Sequence, residues 1–262
     1  MMDKRLQSVV IVGSGNVAEA LAGAVARSGA DLVQVCARNA SRAQAIAEAA
    51  GCGWAALPEG PAPADLYLIA VSDRAVGEVA SRLAFPTGAV VAHTAGCVEL
   101  GALPATILRR AVFYPLQTFT RGRRVGFSEI PVLLEASDAE TYARLEDFAL
   151  RLTSRVIPAS SALRARVHLA GVFANNFANH MYAVGERIVR EAGLDFDVLR
   201  PLIAETAAKA LDAPSPAGVQ TGPAVRGDRT TQERHEELLG DETLRIIYRT
   251  ISQNIWETSK KI

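Results

Sequence analysis

Two rhythms of apolar residues divide the chain. Up to about residue 159, short β-branched runs alternate with stretches of helical spacing. The first run, residues 9–12, breaks into Gly13 and Gly15 and then into an alanine-rich helical pattern over 17–28. Further runs at 32–37, 54–56, 65–71 and 89–92 predict strands, with helices over 41–51 and 73–83 between them. Ser41-Arg42-Ala43-Gln44 has capping-box spacing at the start of the second helix. Leu66-Tyr67-Leu68-Ile69 is apolar on consecutive residues, the pattern of a strand buried on both faces of a parallel sheet. Strands at 111–114 and 131–135, an amphipathic helix over 139–152 and a strand at 154–157 complete this part. The alternation predicts an α/β protein with a doubly wound, mostly parallel sheet. From about residue 160 the strands stop. Helices are expected over 163–192, 197–211, 230–239 and 241–259, with a Pro- and Gly-rich stretch at 212–228. The expected organisation is a sheet domain over 1–159 and an all-helical domain over 160–262, with the cleft at their junction.

Composition narrows the classes. With 49% hydrophobic residues and a mean hydropathy of +0.14, the 262-residue chain can bury a core. Its 28 basic and 28 acidic residues cancel, so no net field draws in nucleic acid or an anionic membrane. Aromatic content of 6% also argues against base stacking. Cys36, Cys52 and Cys97 form no C-x-x-C pair and are odd in number, which suits a reducing, cytoplasmic compartment. No apolar run has the length of a signal core or a membrane span. No cluster has metal-ligand spacing, so no metal is expected; His168 and His180 are twelve residues apart and the cysteines are scattered.

The turn after the first strand reads Gly13-Ser14-Gly15-Asn16-Val17-Ala18. Strand, glycine turn and helix start in that order make a Rossmann-like dinucleotide-binding arrangement, with Ala18 in the third small position. Gly13 permits the tight turn, Gly15 bares the backbone to a pyrophosphate, and Ala18 lets the helix lie close to the strand. Backbone amides from Ser14 to Val17, at the positive end of the helix, are expected to hold the phosphates. At the end of the second strand an acidic residue would accept from the ribose hydroxyls of NAD. Here Ala37-Arg38-Asn39 stands instead, with Arg42 one turn into the helix. NADP(H) is therefore the expected cofactor. Val71, Ser72 and His93 end later strands and should add cofactor contacts. His93 is also a candidate acid–base group, or a histidine that satisfies loop carbonyls.

Four more stretches carry a family resemblance: Ala92-His93-Thr94-Ala95-Gly96, Phe113-Tyr114-Pro115-Leu116-Gln117-Thr118-Phe119, the run from His168 to Phe177, and the run from Gln220 to Asp228. With the glycine turn, they resemble a set of predicted NADP oxidoreductases in which a Rossmann-like domain precedes a helical domain called DUF2520. That set is related to pyrroline-5-carboxylate reductase and the 6-phosphogluconate dehydrogenase group. The resemblance implies NADP binding, a C-terminal domain like that of 6-phosphogluconate dehydrogenase, and a homodimer. It implies no particular substrate. Hydroxyacid dehydrogenases of the 6-phosphogluconate type carry a lysine four residues before an asparagine on the first interdomain helix. Counting back from Asn176 and Asn175 gives Val172 and Gly171, so that lysine is missing. Where pyrroline-5-carboxylate reductases have Ser-Gly-Ser-Gly-Pro and Gly-Gly-Thr-Thr, this chain reads Ala170-Gly171-Val172-Phe173-Ala174 and Val219-Gln220-Thr221-Gly222. Neither activity carries over intact.

On an ideal helix at ~100° per residue, His168, Asn175, Asn179, Tyr182 and Glu186 lie within about 40° of one direction. Phe173, Phe177, Met181, Val184 and Ile188 gather opposite. Asparagine is a poor helix former, so several in one turn ask for a reason: a substrate site built from neutral amides, or an interhelical hydrogen-bond network. The candidate catalytic groups are His168 or His93 for the proton, with Asn175 and Asn179 orienting substrate. Gln117, Asn176, Thr221 and Arg226 are candidate substrate contacts; Arg226 and Asp228 can equally pair and cap the next helix. The expected function is NADP(H)-dependent hydride transfer to or from a C=O or C=N carbon of a small polar metabolite. An NADP-binding sensor or scaffold with little turnover is the competing class, favoured by the missing lysine.

Overall fold

The elements follow that order closely. The sheet part contains β1 (Ser8–Val12), α1 (Asn16–Ala26), β2 (Asp31–Ala37), α2 (Ala40–Ala50), β3 (Gly53–Ala56) and β4 (Leu66–Ile69). It continues with α3 (Val76–Arg82), β5 (Val90–His93), β6 (Arg109–Pro115), β7 (Val132–Ala136), α4 (Ala139–Leu150) and β8 (Val156–Pro158). In the computed structural model, which describes residues 5–261, the eight strands form one sheet in the order β3-β2-β1-β4-β5-β6-β7-β8. Strands β1 to β6 are parallel; β7 runs antiparallel to β6, and β8 follows β7.

The consecutive apolar residues of these strands feed two cores, because successive side chains leave opposite faces of a strand. Val9, Ile11, Leu66, Leu68 and Phe113 point to the face covered by α1, α2 and α4, where Phe113 meets Phe148 with ring centroids 5.9 Å apart. Val10, Val12, Tyr67, Ile69 and Val91 point to the other, covered by Val76 and Ala80 of α3 and by Leu103 and Ile107. From β1 the chain builds outward through β2 to β3, then returns to β4 on the other side of β1. That reversal opens a crevice at the carboxyl ends of β1 and β4.

One helix start differs from expectation. Asn39, not Ser41, caps α2: its side chain accepts from the Arg42 amide at 3.1 Å, while Ser41 donates to Asn39 at 2.9 Å. An Asx cap two residues earlier starts the helix at Ala40 and takes the Arg42 amide, so the Ser41 spacing is not used.

After β8, α5 (Ser161–Gly171) runs through a π-helical turn (Val172–Phe177) into α6 (Ala178–Glu191). Then come α7 (Arg200–Asp212), α8 (Pro223–Arg226), α9 (Arg229–Leu238) and α10 (Glu242–Ser259). The chain packs as two compact units, Met1–Ala178 and Asn179–Ile262. That division falls later than residue 159, where the strand pattern ends, because the start of α5 is bonded to the sheet. Arg164, 1% exposed, donates to Glu135 on β7 and to the Val98 carbonyl, and Ser161 donates to Glu135 at 2.7 Å. Within the second unit Asp228 caps α9, accepting from the Thr231 amide at 3.1 Å. Asp241 caps α10 and pairs with Arg187 of α6 at 3.1 Å. Among the described residues no helix is long and apolar enough to cross a membrane.

Candidate active site

The glycine turn is built for close approach. Gly13 has φ +136°, and a Cβ there would sit 2.2 Å from the Ala70 carbonyl oxygen at the end of β4. Its amide donates to the Cys36 carbonyl at 2.8 Å, locking the turn between β2 and β4. Gly15 is the opposite case: a Cβ there would meet nothing within 4 Å. It caps α1 with no side-chain hydrogen bond, so the first-turn amides are left for an outside acceptor. These residues fit the pyrophosphate of a nicotinamide dinucleotide, with an open floor at Gly15 and bare amides at a helix N-terminus.

A cavity of ≈ 950 Å³ extends from this turn, near the upper end of the ~300–1,000 Å³ range of ligand sites. The expected cofactor residues Gly13, Ser14, Gly15, Asn16 and Val17 line it, as do Arg38 and Asn39 after β2 and Val71 and Ser72 after β4. Arg38 is exposed on its wall and has no ion-pair partner among the described residues. Arg42 is not in the wall. Its guanidinium donates to Glu19 of α1, whose other oxygen accepts from the Gly122 amide at 3.4 Å. A carboxylate one helix away has taken the charge that the sequence assigned to the cofactor. Asn16 also reaches across, donating to the Phe119 carbonyl at 2.9 Å.

The far wall collects His168 of α5, Asn175 and Asn176 of the π turn, Gln117, Gly96 and Tyr114. His168 Nδ1 and the Tyr114 hydroxyl are 2.9 Å apart, with ring centroids at 5.8 Å. Gly96 makes room for the pair: a Cβ there would lie 2.5 Å from His168 Nδ1 and 3.0 Å from Tyr114 Cζ. Burial, followed by the charges of Cys97 and Asp73, raises the Tyr114 pKa against the opposing pull of Arg164. The phenol therefore holds its proton at neutral pH.

His93 is not part of this wall. It ends β5 fully buried, its Nδ1 accepting from the Ala95 amide at 3.2 Å, and its Nε2 has no hydrogen-bond partner among the described residues. Burial first and the Arg164 charge second lower its pKa from 6.5 to about 4, so it is neutral and sealed from the cavity. Asn179, Thr221 and Arg226 lie in the second unit. Tyr114 is the residue that sequence reasoning passed over: it ends a strand at the cofactor edge, but its partner is 54 residues further on. Among the described residues no group of three or more His, Cys, Asp or Glu is placed to hold a metal ion.

Residues 8–96 match the family described as NADP oxidoreductase coenzyme F420-dependent, and residues 130–255 match the domain of unknown function DUF2520. No curated protein matches the chain. Among solved structures, a putative NADP oxidoreductase from Bacteroides fragilis is 36% identical, with a TM-score of 0.86 over 96% of this chain and 98% of that one. A reductive aminase from Aspergillus terreus, in complex with NADPH and ethyl-5-oxohexanoate, shares the fold at 18% identity. Its TM-score is 0.65, over 97% of this chain and 98% of that one. A pyrroline-5-carboxylate reductase from Coxiella burnetii does so at 17% identity and a TM-score of 0.56, over 98% of each chain.

Proposed function

Because the chain belongs to the NADP oxidoreductase family in which a Rossmann-like domain precedes DUF2520, we propose that it transfers hydride between NADP(H) and a C=O or C=N carbon of a small polar metabolite. One observation carries the reading: a single cavity joins the phosphate-binding glycine turn to a wall of hydrogen-bonding side chains around His168. Bound there, the nicotinamide supplies or accepts the hydride. The chain's own part is to hold and orient. Residues 14–17 take the pyrophosphate on their amides, and Arg38, exposed on the cavity wall, takes the 2′-phosphate that distinguishes NADP from NAD. Asn175, Asn176 and Gln117 offer neutral amides that orient a polar substrate without adding charge, beside His168 as the proton-handling group. The NADPH bound by the Aspergillus terreus relative supports the same choice of cofactor.

Calorimetric titration with NADPH and NADH tests this directly. The expected result is preferential NADPH binding that Arg38→Ala weakens selectively, toward the NADH level. Gly15→Asp should abolish both, because it puts a side chain and a negative charge where the pyrophosphate lies. Absence of binding to the folded wild-type protein would reject the reading. Tight NADPH binding without turnover of any carbonyl or imine would favour the sensor class.

A further inference from the structure

The hydrogen-bonded pair Tyr114–His168 has a use beyond a generic proton site. Resting on the hydride-transfer reading above, we infer that Tyr114 is the proton donor to the reduced substrate and that His168 restores its proton.

The argument starts from position. Tyr114 and His168 both line the cavity, and the 2.9 Å contact between Oη and Nδ1 fixes their mutual orientation. Gly96 leaves both rings pressed against bare backbone, so neither can turn toward that side. In the inferred arrangement His168 donates its Nδ1 hydrogen to the Tyr114 oxygen, which leaves the phenol O–H to face a substrate oxygen. Such a pair suits an oxygen that becomes negative. As the carbonyl carbon gains hydride from the reduced nicotinamide, the C=O π electrons move to oxygen, and that oxygen takes the Oη proton. The phenolate left on Tyr114 takes the Nδ1 proton of His168, and the imidazole then recovers a proton from solvent. One hydride and one solvent proton are consumed for each alcohol formed.

The test uses the full chain, wild type and with Tyr114→Phe or His168→Asn, after NADPH binding is established by fluorescence titration. NADPH oxidation is then followed with butanal, cyclohexanone and benzaldehyde, and separately with 1-pyrroline. The expected result is turnover that Tyr114→Phe lowers in kcat by about 10²–10⁴-fold, with NADPH affinity unchanged. Asparagine can donate to the Tyr114 oxygen but cannot relay a proton, so His168→Asn should change the pH profile of kcat. Turnover of either compound class that is indifferent to Tyr114→Phe would overturn the inference while leaving the cofactor reading intact. A protein that fails to bind NADPH would instead remove the proposed function itself. If neither compound class reacts, ¹⁵N spectra of His168 without cofactor decide. Nδ1 should carry the hydrogen in the wild type and lose that preference in Tyr114→Phe; an Nδ1 that reads as a bare acceptor in the wild type would overturn the pair.

Discussion

What surrounds an imidazole decides its use here. His93 and His168 looked alike in the sequence as candidate proton carriers, yet one is sealed in the sheet and the other stands in the cavity wall. His93 binds its proton more weakly folded than unfolded, with a pKa of about 4 against 6.5. Its stabilising contribution is therefore full above pH ~6.5 and fades as pH falls toward 4, by about 3 kcal/mol at most. Urea unfolding between pH 7 and pH 4 should show that loss in the wild type and a smaller one in His93→Asn. Equal slopes in the two proteins would refute it. Gly13 gives a sharper case. Gly13→Ala places a methyl group 2.2 Å from the Ala70 oxygen at a φ of +136°, and should cost about 2–4 kcal/mol in stability, read from denaturant midpoints. The glycines were legible from their spacing alone. The division of labour between the two histidines was not, since burial is a property of the packed chain.

The helix that carries His168 is oriented by its first turn. Arg164 and Ser161 tie α5 to Glu135 of β7, and His168 follows Arg164 by four residues on the same side. Arg164 is 1% exposed, so removing its counter-charge strands a buried guanidinium. Glu135→Ala should destabilise the first unit by about 3–5 kcal/mol, measured by chemical denaturation. A loss below 1 kcal/mol would mean that the Val98 carbonyl and Ser161 satisfy Arg164 without it. The π turn matters for the same face. A straight helix pairs His168 with Asn175 and Asn179, whereas the wider π turn also brings Asn176 to the cavity beside Asn175. Strands and helices could be read from apolar rhythm. An inserted π turn leaves that rhythm almost unchanged, because it adds about one residue to a single turn.

The second unit keeps several large apolar side chains in solvent: Leu202, Leu211, Ile246 and Ile251 are all exposed. Such residues suit a partner surface, and we propose that a second copy of the chain covers them. Sedimentation at micromolar concentration should show a dimer, which Leu202→Glu with Ile246→Glu should dissociate; a wild-type monomer would reject it. Arrangement on this scale was partly legible. The α/β start, the helical end and the reversal around the first strand follow from the order of elements. The antiparallel β7 and the extension of the first unit to Ala178 do not, because both depend on which surfaces pack.

The sequence by itself determined the doubly wound sheet, its phosphate-binding turn and the preference for a cation after the second strand. Each is a local pattern in which a few neighbouring residues impose the geometry. Tertiary structure alone decided that Arg38 stands exposed on the cavity wall while Arg42 is bound to Glu19, that His93 is buried while His168 is not, and that Tyr114 meets His168 across 54 residues. Those outcomes turn on which charges and rings the packed chain brings within a few ångströms of each other, and no short-range pattern carries that information.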